Sequence, residues 1–251
     1  MKIKNFGIVH TKSIFKNLGK VMIVAVKRTR FVEVLDLINP QFRRRFVEPR
    51  CSVGNSIKAF GLLGNNPVIC GIGKTNNFND DKDCLVLGNP NIIAPKLLEN
   101  RYKPSSIVLN NSTIWITGGT EYRQKITEFF SLGQETTKGP ELPFTIFSHC
   151  MVQVDDQTVY IIGGKQEKEF NSVGKAELKG LRQTWKIDPT NNFAIQPGPD
   201  LIEERADHAC ATMKIKEKIF IVAAGGVNNR SVELLNTSAP EDGWKCGKYM
   251  I

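Results

Sequence analysis

Residues 113–120, TIWITGGT, are a β-branched apolar run that stops on two glycines. The same phrase returns as TVYIIGGK at 158–165 and as KIFIVAAGGV at 218–227. The first glycines of these pairs, Gly118, Gly163 and Gly225, stand 45 and 62 residues apart. The longer interval holds a polar stretch, QEKEFNSVGKAELKGLR at 166–182, which reads as a loop insertion of roughly fifteen residues. Forty-seven residues before Gly118, Gly71 ends the same kind of strand in PVICGIGKT, with Ile72 in place of the second glycine. A fifth, worn copy is KVMIVAVKRTRFVEVLDL at 20–37, which parallels KIFIVAAGGVNNRSVELL at 218–235. A phrase recurring at this period marks a repeat architecture.

Each unit carries further short strands. One precedes the glycine strand (56–63, 106–109, 150–154, 209–213), and one follows its polar turn (32–37, 84–87, 127–132, 184–187, 232–235). A fourth, shorter one carries an aromatic at Phe42, Phe193 and Trp244. Asn-Asn, Asn-Pro, Asp-Pro and Gly-Pro pairs punctuate them as turn formers, and no helical periodicity competes. Four short strands per unit predict an all-β propeller, because one sheet cannot cover both its faces while stacked blades cover one another. The expected units run 8–48, 51–98, 104–143, 148–201 and 205–247 within a single domain spanning 1–251. That makes about five four-stranded blades, the first degenerate, in a ring that either closes at five or is incomplete.

An apolar strand ending in Gly-Gly, a polar turn, a Val-Glu-x-Leu-type strand and then Trp or Phe resembles the kelch repeat. The match is clearest over 106–143, 149–201 and 208–244. The resemblance implies a kelch-type β-propeller like the central domain of galactose oxidase. Galactose oxidase holds copper with tyrosines and histidines, whereas the histidines here recur at one place in their units. His10 and His208 lie eleven residues before Val21 and Ile219, and His149 lies ten before Val159. A recurring position signals a repeated structural task, which leaves the four tyrosines (102, 122, 160 and 249) without histidine co-ligands. Plant specifier proteins, also kelch-like, carry Glu-x-x-x-Asp-x-x-x-His. Glu203 and Asp207 fit its first two places, but Ala211 stands at the third. Neither catalytic residues, nor a metal site, nor a cofactor is expected.

Other sharp readings fail on spacing. Gly71-Ile72-Gly73-Lys74-Thr75 has the tail of a phosphate-binding loop, but Val68 stands where that loop needs its first glycine. The chain has 34 Lys and Arg against 25 Asp and Glu, a net charge of +9. Part of the excess sits in Lys27–Arg30 and Arg43–Arg45, which read as solvated runs. Cysteines 51, 70, 84, 150, 210 and 246 form no Cys-x-x-Cys pair. Cys70 and Cys84, on consecutive strands of one blade, are candidates for a disulfide or for two small buried side chains. Cys150 and Cys210, one residue out of register on equivalent strands, are expected to face opposite sides and to serve packing. Sequons at Asn110, Asn111, Asn229 and Asn236 do not settle the compartment in a chain of 20 asparagines.

No apolar stretch reaches membrane-spanning length, and no signal-peptide core is visible. The default compartment is therefore the cytoplasm, or the cell exterior if the natural N-terminus is longer and Cys70–Cys84 is bonded. Function is expected on the loops. The loop after the glycine strand varies most (74–82, 120–125, 165–182, 227–230), and Tyr122, Arg123, Asn228, Asn229 and Arg230 are its candidate contacts. The expectation is a non-catalytic scaffold for a protein or peptide partner, with no specific nucleic acid, no membrane insertion and an open oligomeric state. The alternatives are a metal-dependent propeller enzyme of the galactose oxidase type and a polyanion-binding basic propeller.

Overall fold

The computed structural model describes residues 59–73, 82–87, 89, 91–119, 125–167 and 178–247. It also describes the backbone of strands Ile3–His10, Ser13–Asn17, Val21–Val26, Phe31–Asp36, Arg43–Val47 and Ser52–Val53. The β-branched runs all form strands, and the strands form four antiparallel blades in a propeller arrangement.

The first blade pairs Asn66–Gly73 with Ala59–Leu63 and Ser52–Val53 on one side and Asp83–Val86 on the other. The second runs Ser105–Leu109, Thr113–Thr117, Glu128–Ser131 and Thr137–Lys138, and the third Cys150–Asp155, Thr158–Ile162, Thr184–Asp188 and Ala194–Pro197. The fourth runs Ala209–Ile215, Lys218–Ala224, Val232–Asn236 and Lys245–Cys246. The insertion at 166–182 springs from a small hairpin, Lys165–Glu167 with Leu178–Gly180.

Why the glycine strands are apolar without alternation follows from how the blades stack. Ile114, Trp115 and Ile116 are all fully buried, although successive side chains of a strand point to opposite faces. Ile114 and Ile116 pack with Val68, Cys70 and Val86 of the first blade. Trp115, between them, packs with Met151, Val159 and Ile161 of the third. In the third blade Val159 and Ile161 face the second, while Tyr160 and Ile162 face Cys210, Ile221 and Ala223 of the fourth. Each glycine strand here thus supplies two cores, one on each side.

The strands of the degenerate unit at 8–48 continue the fourth blade's sheet. Ile3–His10 pairs with the fourth blade's Ala209–Ile215 (Ile3 opposite Met213, Gly7 opposite Cys210), and the later strands extend that sheet to nine. This unit has Val26 and Lys27 where the second, third and fourth blades have their glycine pairs.

Candidate interaction surface at the glycine rim

The glycine pairs lie on one rim of the propeller, where the glycine strand leaves the blade. All six glycines are left-handed: φ is 60° and 71° at Gly118 and Gly119, 55° and 107° at Gly163 and Gly164, 69° and 119° at Gly225 and Gly226. Close approach is the second requirement. A Cβ on Gly118 would collide with the Ile146 carbonyl, one on Gly119 with Pro104, and one on Gly163 would sit 2.6 Å from the Arg205 carbonyl. The space is used for backbone bonds to the loop that leads into the next blade. Gly119 N–H donates to Ile146 O (2.8 Å), and Gly164 N–H to Arg205 O (2.7 Å).

The recurrent histidines fill the remaining space. His149 Cε1 lies 2.9 Å from where a Gly118 Cβ would stand, and His208 Cε1 lies 3.1 Å from the same point on Gly163. Each ring therefore packs onto the glycine of the preceding blade. His149 Nε2 and Thr117 Oγ1 share a hydrogen bond at 2.7 Å, and Met151 Sδ lies 2.9 Å from the same hydroxyl. Burial pushes both histidines down to about 3, helped by His208 and Arg101 at His149 and by Arg205 at His208, with Asp207 opposing. They are neutral parts of the blade joints. His10 lies outside the residues whose side chains are described.

A second repeated device escaped the sequence reading. Arg101, in the loop before the second blade, donates from Nε to Glu128 Oε1 (2.6 Å) and from Nη1 to the Gly118 and Ile126 carbonyls (2.7 and 2.9 Å). Arg205 repeats this in the fourth blade with Glu233 Oε1 (2.9 Å) and the Gly225 and Ser231 carbonyls (2.8 and 3.0 Å). The glutamates are satisfied alike: Glu128 Oε2 accepts Leu98 N–H (2.7 Å) and Glu233 Oε2 accepts Ile202 N–H (2.6 Å). In the third blade Ile146 and Trp185 hold these places, and Trp185 stacks on Phe144 at 4.0 Å between centroids.

Two residues after each of these positions the chain turns left-handed, at Lys103, Ser148 and Asp207 (φ 51°, 55° and 52°). Lys103 O accepts Ser148 N–H, Ser148 O accepts Asp207 N–H (both 2.9 Å), and Lys103 Nζ reaches Asp207 Oδ2 at 2.6 Å. The three lead-in loops are thereby strapped together on the glycine rim.

Of the candidate contacts, Tyr122 and Arg123 lie outside the described residues. Asn228 and Arg230 are exposed. Asn229 is half-buried and already committed: its Nδ2 donates to Glu203 Oε2 of the neighbouring loop and its Oδ1 accepts Ser231 N–H of its own, both at 2.8 Å. Ser231 Oγ and Arg205 also engage Glu203 Oε2, and these hydroxyl and amide bonds hold its carboxyl below the usual range. Val227, 51% exposed, and Ile202, 40% exposed, were not singled out in the sequence, where nothing separates them from ordinary loop apolars.

Cys70 and Cys84 stand directly opposite each other on adjacent strands and are disulfide-bonded. Closing a loop of this size stabilises by about 3 kcal/mol. Cys70→Ser with Cys84→Ser is therefore expected to lower urea-unfolding stability by about that amount, measured without reductant. Cys150 and Cys210 correct the packing expectation, because they too are bonded, with Cα atoms 6.0 Å apart. The offset of one residue is present, with Cys150 opposite Ile162 and Cys210 opposite Ala223, and it is what lets the bond form. Neighbouring blades present opposite faces to each other, so side chains on opposite faces of equivalent strands meet in the joint.

Among the described residues no three His, Cys, Asp or Glu side chains are grouped to hold a metal ion, and no helix is long and apolar enough to cross a membrane. On the rim opposite the glycines, a cleft of about 350 Å³ opens between the third and fourth blades, lined by Asp155, Tyr160, Lys186, Glu217 and Ser238 among others. Burial and Asp155 push the Tyr160 phenol above its ordinary value.

No protein-family model matches the chain, and no curated protein does. Among solved structures the chain is similar to the streptogramin B lyase structure, with 10% identity, a TM-score of 0.50, and coverage of 99% of this chain and 87% of that one. It is also similar to the N-terminal domain of Nup159 (13% identity, TM-score 0.46, 90% of this chain and 60% of that one). A third is a fungal alcohol oxidase of the AA5 family in complex with copper (14% identity, TM-score 0.47, 82% and 46%). The chain spans less than two thirds of the length of the latter two. These likenesses concern the fold.

Proposed function

We propose that this chain is a kelch-type propeller acting as a non-catalytic interaction module, which binds a protein or peptide at its glycine rim. The kelch assignment is supported by what recurs across blades: the left-handed glycine pair, the histidine packed on the preceding pair, and the buried Arg–Glu clamp. The observation that carries the binding reading is the fourth-blade patch. Ile202, Val227 and Arg230 are exposed together on two loops that Glu203, Asn229, Ser231 and Arg205 tie to each other. Apolar side chains and an arginine on a preorganised support are what an interface core uses. Tyr102, 47% exposed with Lys103 Nζ 5.7 Å from its ring centroid, adds an aromatic to the same rim. Asn229 belongs to the support, whereas Val227 and Arg230 are the contacts. Two disulfides further support maturation in an oxidising compartment.

The test is affinity capture from nuclease-treated extract with the intact protein. Val227→Glu with Arg230→Glu is expected to weaken retention of the captured partner about tenfold or more, as loss of a hot spot does, with the melting temperature unchanged. Retention that survives this pair, but falls steeply with salt and on replacing Arg43, Arg44 and Arg45, points to a polyanion and defeats the reading.

A further inference from the structure

The opposite rim carries a feature the interaction reading does not use. The second blade's hairpin turns through Leu109-Asn110-Asn111-Ser112, with Ser112 N–H donating to Leu109 O at 3.2 Å. Asn110 and Asn111 are both left-handed (φ 50° and 55°), the primed turn that suits the twist of paired strands. This geometry explains the two asparagines but asks for no hydroxyl at 112. The equivalent hairpins, Gly64-Asn65, Asp156-Gln157 and Lys216-Glu217, carry no Asn-x-Ser/Thr triplet.

Burial separates this triplet from the other sequons. Asn110, Asn111 and Ser112 are exposed in succession. In the overlapping triplet at 111, the hydroxyl is that of Thr113, half-buried and bonded to Ser131 Oγ at 2.9 Å. Asn229 is tied to Glu203, with Ser231 beneath the same carboxylate. Asn236 is half-buried in a strand opposite Phe220, and its own side chain is engaged, with Oδ1 accepting Ser238 N–H at 3.2 Å. A sugar needs a nitrogen with open space around it, and the triplet at 110 has that along its whole length. The disulfides supply the second condition, passage through the kind of compartment in which such sugars are added.

We propose that Asn110 is an N-glycosylation site, taking an oligosaccharide from a polyprenyl-pyrophosphate donor. Asn110 Nδ2 bonds to C1 of the first sugar as the C1–O bond to pyrophosphate breaks. The lipid pyrophosphate leaves with the bonding pair, and Nδ2 gives up one proton, so no oxidant or reductant enters. The glycan then stands on the rim opposite the glycines, one strand length (about 17 Å for five residues) from Gly118, and leaves the proposed binding face open. The inference rests on the oxidising-compartment part of the proposed function, not on the partner.

The full chain, secreted from a eukaryotic cell behind a cleavable leader, tests it by peptide mass mapping before and after removal of N-linked sugar. The expected result is a glycan on Asn110, retained in Thr113→Val and lost completely in Ser112→Ala, which deletes the triplet at 110 and preserves the one at 111. Asn110→Gln gives the same loss, and Ser112→Ala guards against a turn that fails to form with glutamine. An unmodified Asn110 in the folded, secreted protein overturns the proposal, as does a glycan that maps to Asn111, Asn229 or Asn236 instead. Disulfide mapping of the same sample separates the two layers: bonded cysteines with a bare Asn110 defeat the glycan and leave the compartment standing.

Discussion

Arg205→Met is expected to lower the free energy of unfolding by about 3–5 kcal/mol, the cost of stranding one member of a buried ion pair. Both side chains of the pair are essentially without solvent exposure, and methionine fills most of the arginine volume without its charge. Glu233 then keeps its bonds to Ile202 and Glu203 N–H but holds an uncompensated charge in the interior. The Gly225 carbonyl loses its guanidinium donor as well, and the Ser231 carbonyl keeps only Gly225 N–H. The double variant Arg205→Met with Glu233→Leu is expected to be more stable than the single one, because no buried charge remains. The third blade, with Ile146 and Trp185 at these places, shows that a blade folds without the ions. Urea midpoints at an unchanged denaturant slope measure both effects. A single variant that loses under 1 kcal/mol would show the pair to be dispensable.

Acidification is the second large effect. In the folded chain His149 and His208 titrate near 3, whereas the unfolded chain offers two imidazoles with the ordinary value of 6.5. Between these limits the unfolded chain binds more protons, so stability is fully present above about pH 6.5 and falls as the pH falls toward 3. At pH 5 each histidine has lost about 2 kcal/mol, about 4 for the pair, on a scale of 1.36 kcal/mol per unit. That is a large share of the ~5–15 kcal/mol a domain holds. The charged neighbours are Arg101 and Arg205, which strengthen the effect, and Asp207, which opposes it. Melting curves from pH 7.5 to 4.5 check this, and His208→Asn is expected to flatten the dependence by about half. A melting temperature that stays level to pH 4.5 would falsify the assignment of both rings as buried and neutral.

Much of the architecture was legible because it is local. A β-branched run ending in glycines declares strand and turn within eight residues, and its recurrence declares the stacking. The shared station of His149 and His208 was legible for the same reason, and their structural role followed from repetition. What stayed hidden was long-range. Arg101 and Glu128 are 27 residues apart, and Arg205 and Glu233 are 28 apart, in segments that carry no motif linking them. The near-equal spacing in two blades, differing by one residue, and its loss in the third was the available signal. Cys150 and Cys210 were misjudged because the two strands were compared as copies of one blade, when the bond depends on how different blades face each other. The degenerate unit was visible as strands, but whether they separate into a blade depends on docking.

The double service of each glycine strand has a consequence for how such a chain tolerates change in length. One residue gained or lost inside Thr113–Thr117 would exchange the side chains delivered to the two neighbouring cores, sending Trp115 toward the first blade and Ile114 or Ile116 toward the third. No compensating shift in one neighbour repairs both. Insertions are therefore excluded from the strands and diverted to the glycine rim, where 166–182 has already absorbed one. A foreign peptide grafted there, clear of Leu181, which is buried in the core between the second and third blades, should be displayed without disturbing the cores.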